Sequence, residues 1–384
     1  MPKHYAGVNV YEAALERIRE HYRAGDRCVL SFSGGKDSGV LLELLIQVAR
    51  EFNALPIDVV MRDEEIMYPG TYEYVERVAN RLEVRMRWLV MGQPIINAFN
   101  RFNPYWWVFD PDEQSRWVRE IPEWAEWIDS QCIESMTSRE LFAVENGQRL
   151  VAMIGLRATE SKARTFTIYS SEGYQTKHPN AWGVYNSRPI YDWSDSDVWK
   201  AIHDFGWDYN RAYDALRRAG ARTQQLRIAP PSMRQGLEAL KLAIKIWPAW
   251  FDRVSKRLPG IRSAAHYGKR ALQPIRRVGE SWEQCAWRAM EGGPDWFVQR
   301  ATRIIEGCIR WHAHHCTEPL METVPCRRCP TQCPGSWKRI AHVVYAADPW
   351  SQQQQIVRQP LEPYILRQGA RGWYEDGKQG VIRW

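Results

Sequence analysis

Nowhere in the 384 residues is there the run of about 18 uninterrupted apolar residues that a membrane-crossing helix needs. The most apolar stretch, Val40 to Ala49, is broken by Glu43 and Gln47. The opening Met1-Pro2-Lys3-His4-Tyr5 leads into a polar amphipathic stretch and lacks the apolar core of a signal peptide, so a cytoplasmic chain with no membrane partner is expected. Internal repeats and long low-complexity tracts are also missing; Gln352 to Gln355 is too short to count. What remains, 45% hydrophobic and 25% charged residues, is the profile of a globular chain long enough for one large or two ordinary domains.

Charge and cysteine are present but unevenly placed. The net charge is +7, yet Arg211 to Glu280 holds 16 Lys or Arg against 4 Asp or Glu, and the rest of the chain is mildly acidic. A basic segment on an acidic body suggests a polyanion partner, nucleic acid being the obvious one; a solvated helical face of Arg and Lys accounts for it equally. Five of the eight cysteines fall between Cys308 and Cys333, a crowding that in a reducing compartment favours metal binding over disulfides.

Hydrophobic periodicity gives the fold class. Val8, Tyr11, Leu15, Ile18 and Tyr22 recur at helical spacing up to Gly25. A β-rich run from Arg27 to Phe32 follows, then a Gly-Gly turn, then the helical stripe Val40, Leu41, Leu44, Leu45 and Val48. Further strands are expected at 56–61, 84–90 and 150–155, with a helix at 72–82 between the first two. This alternation argues for an α/β fold with a parallel, doubly wound, helix-covered sheet. Residues 92–148 form an insertion rich in tryptophan (Trp106, Trp107, Trp117, Trp124, Trp127), expected to be either a lid or a helical subdomain packing its own aromatics. Beyond about residue 205 the strand signal fades into helical pieces. The expected division is therefore a nucleotide-binding domain, 1–210, and a basic, mainly helical region, 211–384, carrying the cysteines.

The most informative feature is Ser33-Gly34-Gly35-Lys36-Asp37-Ser38, set between a strand and a helix. Gly34 and Gly35 allow a tight turn, so the orphan N–H groups at the start of the helix face one anion site. Lys36 adds a full charge, and Ser33 and Ser38 add hydroxyls. Asp37 suits capping the loop or holding Mg²⁺ near phosphates. A Walker A loop is excluded, because Leu30 stands where its first Gly belongs and Asp37 follows the Lys where Ser or Thr is required.

The loop instead resembles the Ser-Gly-Gly-x-Asp-Ser PP-loop of the ATP pyrophosphatases. Gly155-Leu-Arg157-Ala-Thr-Glu160-Ser161-Lys-Ala-Arg164 is similar to the Gly-x-Arg-x-x-Glu-Ser-x-x-Arg signature of the phosphoadenosine phosphosulfate (PAPS) reductase-like family. Pro189-Ile-Tyr-Asp192-Trp193 through Asp197-Val-Trp199 resembles that family's Pro-Ile-x-Asp-Trp segment, and Asp63-Glu64-Glu65 with Tyr68-Pro69-Gly70-Thr71 its acidic residue and turn. The resemblance implies the adenine nucleotide alpha hydrolase-like fold. It implies catalytic roles for Lys36, Asp37, Arg157 and Arg164. It further implies nucleotide contacts from Ser33, Gly34, Gly35, Ser38, Asp63, Gly155, Glu160 and Ser161, with ATP or a PAPS-type nucleotide and Mg²⁺ as the expected ligands. Guanidinium forks just past a strand's C-terminal end independently suit phosphate or sulfate oxygens.

Cys326-Arg-Arg-Cys329-Pro-Thr-Gln-Cys333-Pro334 places three thiols within eight residues. Their spacing echoes the ligand run of bacterial ferredoxins, so a [4Fe–4S] cluster on Cys316, Cys326, Cys329 and Cys333 is expected, with Cys308 in reserve as the fourth ligand. His312, His314 and His315 keep Zn²⁺ as the alternative.

The Glu-Cys-Gly-x-His motif of PAPS reductases is absent, and so is the Cys-Cys pair of the APS-reducing branch. The pattern looks closer to members that join a PP-loop to a cysteine-ligated cluster, such as the DndC-type proteins of DNA phosphorothioation and the tRNA thiolation enzymes. That resemblance implies adenylation with pyrophosphate release in sulfur transfer or nucleic-acid modification, through the basic segment 211–280 and with a possible obligatory protein partner. A sulfite-forming PAPS or APS reductase is the alternative enzyme, and a non-catalytic nucleotide- or cluster-sensing subunit the alternative outside catalysis.

Overall fold

Buried β-branched and long apolar residues set the central sheet. In the computed structural model, which describes residues 7–91, 94–103, 105–128, 136–160, 165–166, 168, 173–326 and 335–346, strand β1 is Arg27–Ser31, with Val29 and Leu30 fully buried. The other strands are β2 (Ile57–Asp63), β3 (Val84–Met91), β4 (Pro94–Ile96), β5 (Tyr105–Trp107), β6 (Glu126–Ile128), β7 (Leu150–Ile154) and β8 (Val184–Ser187). Six of them form one sheet in the order β6-β3-β2-β1-β7-β8. Every pairing in it is parallel. The chain thus winds outward from β1 through β2, β3 and β6, then returns to lay β7 on the opposite side of β1. Such a reversal leaves a crevice at the carboxyl ends of β1 and β7, where open parallel sheets bind ligands.

Helices α1 (Val10–Arg23), α2 (Lys36–Glu51), α3 (Pro69–Ala79), α4 (Asp195–Phe205) and α5 (Ala212–Arg218) accompany the sheet. Asn9 caps α1 by accepting the Glu12 N–H, and Leu15 and Ile18 enter the core. In α2 the stripe of Val40, Leu41, Leu44, Leu45 and Val48 is buried, as its spacing requires. Ser194 and Asp197 cap α4 reciprocally, and Gly206, left-handed at φ 64°, ends it.

The described residues of Met1–Gln93 and Arg119–Ile228 form one compact unit, and those of Pro94–Val118 and Ala229–Arg383 a second. The second unit contains the antiparallel β4–β5 pair and helices α6 (Leu237–Ile246), α7 (Pro248–Arg257), α8 (Ile261–Tyr267), α9 (Trp282–Arg288), α10 (Asp295–His315) and α11 (Trp337–Tyr345). One of its apolar clusters gathers Trp107, Trp296, Phe297, Ile304, Ile305, Cys308 and Ile340.

The insertion differs from a helical subdomain. Among its described residues are short strands and 3-10 turns, but no α-helix. Pro94, Pro104, Pro111 and Pro122 recur too closely for an uninterrupted helix to form across its first half. Its aromatics divide as well: Trp106 and Trp107 are buried in the second unit, while Trp124 stacks edge-on against Trp88 in the first.

Candidate functional site

The crevice between β1 and β7 is shaped by two glycines that admit close neighbours. Gly34 has φ 68°, in the left-handed region, and a Cβ there would lie 2.7 Å from Thr71 Cγ2. At the end of β7, a Cβ on Gly155 would meet Ser38 N at 2.8 Å and Asp37 C at 2.9 Å. The two loops of the crevice therefore touch backbone to backbone.

The turn is held mainly by side chains. Ser33 Oγ lies 3.0 Å from Ser38 Oγ, and Ser38 Oγ donates to Gly35 O at 3.1 Å. Asn210 Nδ2 donates to Gly34 O at 2.8 Å and to Thr71 Oγ1 at 2.9 Å. The Lys36 N–H, one of the orphan donors at the head of α2, gives its hydrogen to the Tyr213 hydroxyl at 3.1 Å. Burial pushes the Tyr213 phenol above its ordinary range, so it stays a neutral hydroxyl.

Around that helix start lies a knot of charge. Lys36 Nζ is 3.1 Å from Asp37 Oδ2 and 3.2 Å from Asp195 Oδ1. Arg157 reaches the same two carboxylates, at 2.6 Å each, and stands 3.8 Å from Glu160. Lys36 and Arg157 are 5% and 3% exposed, so neither charge is left to water. Burial alone would raise Asp195, but Lys36 and Arg157 overrule it and hold its carboxyl below the usual range. Two buried cations compensated by carboxylates can exchange those partners for phosphate oxygens. The carboxylates so released are suitable Mg²⁺ ligands. Beside the knot opens a cavity of about 860 Å³ whose lining includes Arg157, Asp195, Trp199, Tyr213, Arg217 and Arg227. That volume lies within the range of small-molecule sites.

The structure thus brings together Ser33, Gly34, Gly35, Lys36, Asp37, Ser38, Gly155, Arg157 and Glu160. Asp63 is engaged differently. It accepts from the Glu65 N–H at 2.9 Å and the Trp88 indole at 2.8 Å, and pairs with Arg119. Ser161 and Arg164 lie outside the described residues. Sequence reasoning missed Asp195, Asn210 and Tyr213. Asp195 follows the Ser194 cap, where an acidic residue reads as helix capping, and the other two lie where the strand signal has faded.

In the second unit, ligand atoms of His312, Cys316 and Cys326 lie within 4.8 Å of one another, a group able to hold a metal ion. Cys308 is outside this group, buried against Trp296, Ile305 and their neighbours. Cys329 and Cys333 lie outside the described residues.

A parallel sheet reversed at β1 and β7, with a glycine-turned loop that sets Lys36 beside the Arg157 guanidinium at the crevice, defines a doubly wound α/β protein with an anion-binding site at its switch point. The chain matches the phosphoadenosine phosphosulfate reductase domain over residues 27–279 and belongs to that family. It is 27% identical over 372 residues to the uncharacterized protein YbdN of Escherichia coli (strain K12), covering 89% of each chain. It is 23% identical to the adenosine 5'-phosphosulfate reductase of Staphylococcus haemolyticus, covering 53% of this chain and 72% of that one. To sulfate adenylyltransferase subunit 2 of Mycobacterium bovis it is 28% identical, over 49% of this chain and 58% of the relative. No helix among the described residues is long and apolar enough to cross a membrane.

Proposed function

We propose that the chain binds ATP at the Ser33–Ser38 loop and adenylates an acceptor, in sulfur transfer or nucleic-acid modification. The observation that carries this reading is the charge knot at the head of α2, where Lys36 and Arg157 share Asp37 and Asp195. The buried cations fit a triphosphate, and with Glu160 the three carboxylates against two cations fit the Mg²⁺ that accompanies it. An acceptor oxygen attacks the α-phosphorus, the bond to the β-phosphate breaks, and pyrophosphate leaves with the electron pair. Lys36 and the first N–H groups of α2 stabilise the charge that develops on it. A sulfur nucleophile then displaces AMP from the adenylated acceptor. The relative named sulfate adenylyltransferase subunit 2 supports adenylyl transfer, and the basic segment 211–280 supports a nucleic-acid acceptor.

The relatives named adenosine 5'-phosphosulfate reductase favour a second reading, sulfite-forming reduction. That chemistry needs an activated thiol; burial pushes the Cys28 and Cys285 thiols up, so neither of these two suits the part. The discriminating assay follows pyrophosphate from ATP with and without DNA or tRNA, beside sulfite from PAPS with a dithiol. Pyrophosphate release stimulated by nucleic acid is the expected result. Sulfite without pyrophosphate would return the protein to the reductases. Nucleotide binding without either product, with partner proteins restored, would make it a sensing subunit.

A further inference from the structure

We infer that His312, Cys316 and Cys326 coordinate one zinc ion, so that this group is a mononuclear centre and not an edge of an iron–sulfur cluster. This inference is independent of the nucleotide reading. His312 and Cys316 stand one turn apart at the C-terminal end of α10, and the Cys316 N–H donates to His312 O at 2.8 Å. Residues four apart on a helix share a face, so imidazole and thiol emerge side by side. Cys326 is delivered by the following loop, which is tied to the head of α11. Cys326 N–H donates to Gly335 O at 3.3 Å, Trp337 N–H to Met321 O at 2.9 Å and Lys338 N–H to Glu322 O at 2.9 Å.

Two distances decide the kind of centre. Cys316 Sγ and Cys326 Sγ are 3.6 Å apart. Two thiolates on one tetrahedral zinc, each about 2.3 Å from the metal, stand roughly 3.8 Å apart, whereas a disulfide would bring them to about 2.05 Å. In a [4Fe–4S] cluster each thiolate binds a different iron and points outward from its own corner, so the sulfurs are held farther apart than on a single ion. The second distance concerns His312, 3% exposed, whose Nε2 lies 2.7 Å from Glu318 O. A carbonyl oxygen only accepts, so Nε2 donates this bond and a metal would be met through the ring's other nitrogen, Nδ1. This is the outer-shell bond that orients metal-bound histidines. Mixed imidazole–thiolate sets are ordinary for zinc, whereas [4Fe–4S] clusters are held by thiolates. Cys316 and Cys326 bind as thiolates, each releasing a proton on metallation.

The test uses the full chain purified anaerobically, with iron, sulfide and zinc measured by mass spectrometry and colorimetry, followed by exchange into Co²⁺. One zinc per chain without iron is expected, and the cobalt form should show thiolate charge-transfer and tetrahedral d–d bands. His312→Ala should weaken zinc at least about tenfold in chelator competition. His312→Cys, which preserves a ligand if the alanine variant fails to fold, should keep zinc and gain charge-transfer intensity. Four irons with sulfide, a Cys316–Cys326 disulfide in the folded protein, zinc affinity indifferent to His312→Ala, or a cobalt spectrum unchanged in His312→Cys would each overturn the assignment.

Discussion

Gly155 separates the two walls of the crevice by a margin that one methyl group should erase. In Gly155→Ala the new Cβ would sit 2.8 Å from Ser38 N, 2.9 Å from Asp37 C and 3.0 Å from Asp37 O, all backbone atoms that no rotamer change can move. Ordinary contact begins near 3.5 Å, so the end of β7 and the first turn of α2 must part by roughly half an ångström or more. Overpacking of this kind costs about 1–3 kcal/mol. For a unit of this size it lowers the melting temperature by roughly 2–4 °C per kcal/mol. The same displacement pulls Arg157 away from Asp37. Since a misplacement of about 1 Å costs on the order of a hundredfold in a positioned site, nucleotide affinity should fall about tenfold. Differential scanning fluorimetry and calorimetric titration with Mg·ATP read the two effects. Gly147→Ala is the control: Gly147 has φ 83° with open space around its Cβ position. The control should lose about 1–2 kcal/mol to backbone strain and keep its nucleotide affinity. A Gly155→Ala protein that melts and binds as the parent does would refute the close-approach argument.

Tyr213→Phe removes the acceptor of the Lys36 N–H and should cost about 1 kcal/mol in the nucleotide-free protein. A phosphate oxygen can take the same hydrogen, so the melting deficit should shrink when Mg·ATP is bound; an equal deficit in both states would contradict this placement of the phosphates. Acid should destabilise the first unit through Asp26. Burial raises this carboxyl, but hydrogen bonds from His21 and Arg149 overrule it and hold it below its ordinary value. A carboxyl lowered on folding stabilises the native state above its unfolded value and loses that contribution as pH falls through its folded one. Urea melts should therefore weaken from about pH 4 downward. Asp26→Asn should flatten that slope; parallel slopes in parent and variant would show that Asp26 is not its source.

How much of this was legible in the sequence varies from element to element. β1, α2 and the glycine turn were readable because their apolar spacing and turn chemistry are local. β6 and β8, with three and four residues, are too short for any alternation to stand out, and parallel pairing to β3 and β7 creates them. The insertion misled because its tryptophans suggested a shared core, whereas Trp107 and Trp124 pack in different units and prolines break its first half. Lys36, Asp37 and Arg157 were named from their motifs. Asp195, Asn210 and Tyr213 join them only through tertiary contact, since the loop's partners come from the chain about 160 to 180 residues downstream. His312 stood in view beside the cysteines. Its carbonyl partner and the 3.6 Å sulfur pair, which change the metal expected there, exist only in the folded chain.

The claim on which the functional reading depends is that the phosphates of an adenine nucleotide sit at the head of α2, against Lys36. Its most direct test is calorimetric titration of Mg·ATP into the parent protein and Lys36→Met, with circular dichroism confirming that both are folded. Loss of a buried charge-assisted contact worth about 1.5–3 kcal/mol predicts a roughly 10- to 100-fold weaker dissociation constant for the variant. An unchanged constant in a folded Lys36→Met protein would contradict the account and place the nucleotide elsewhere.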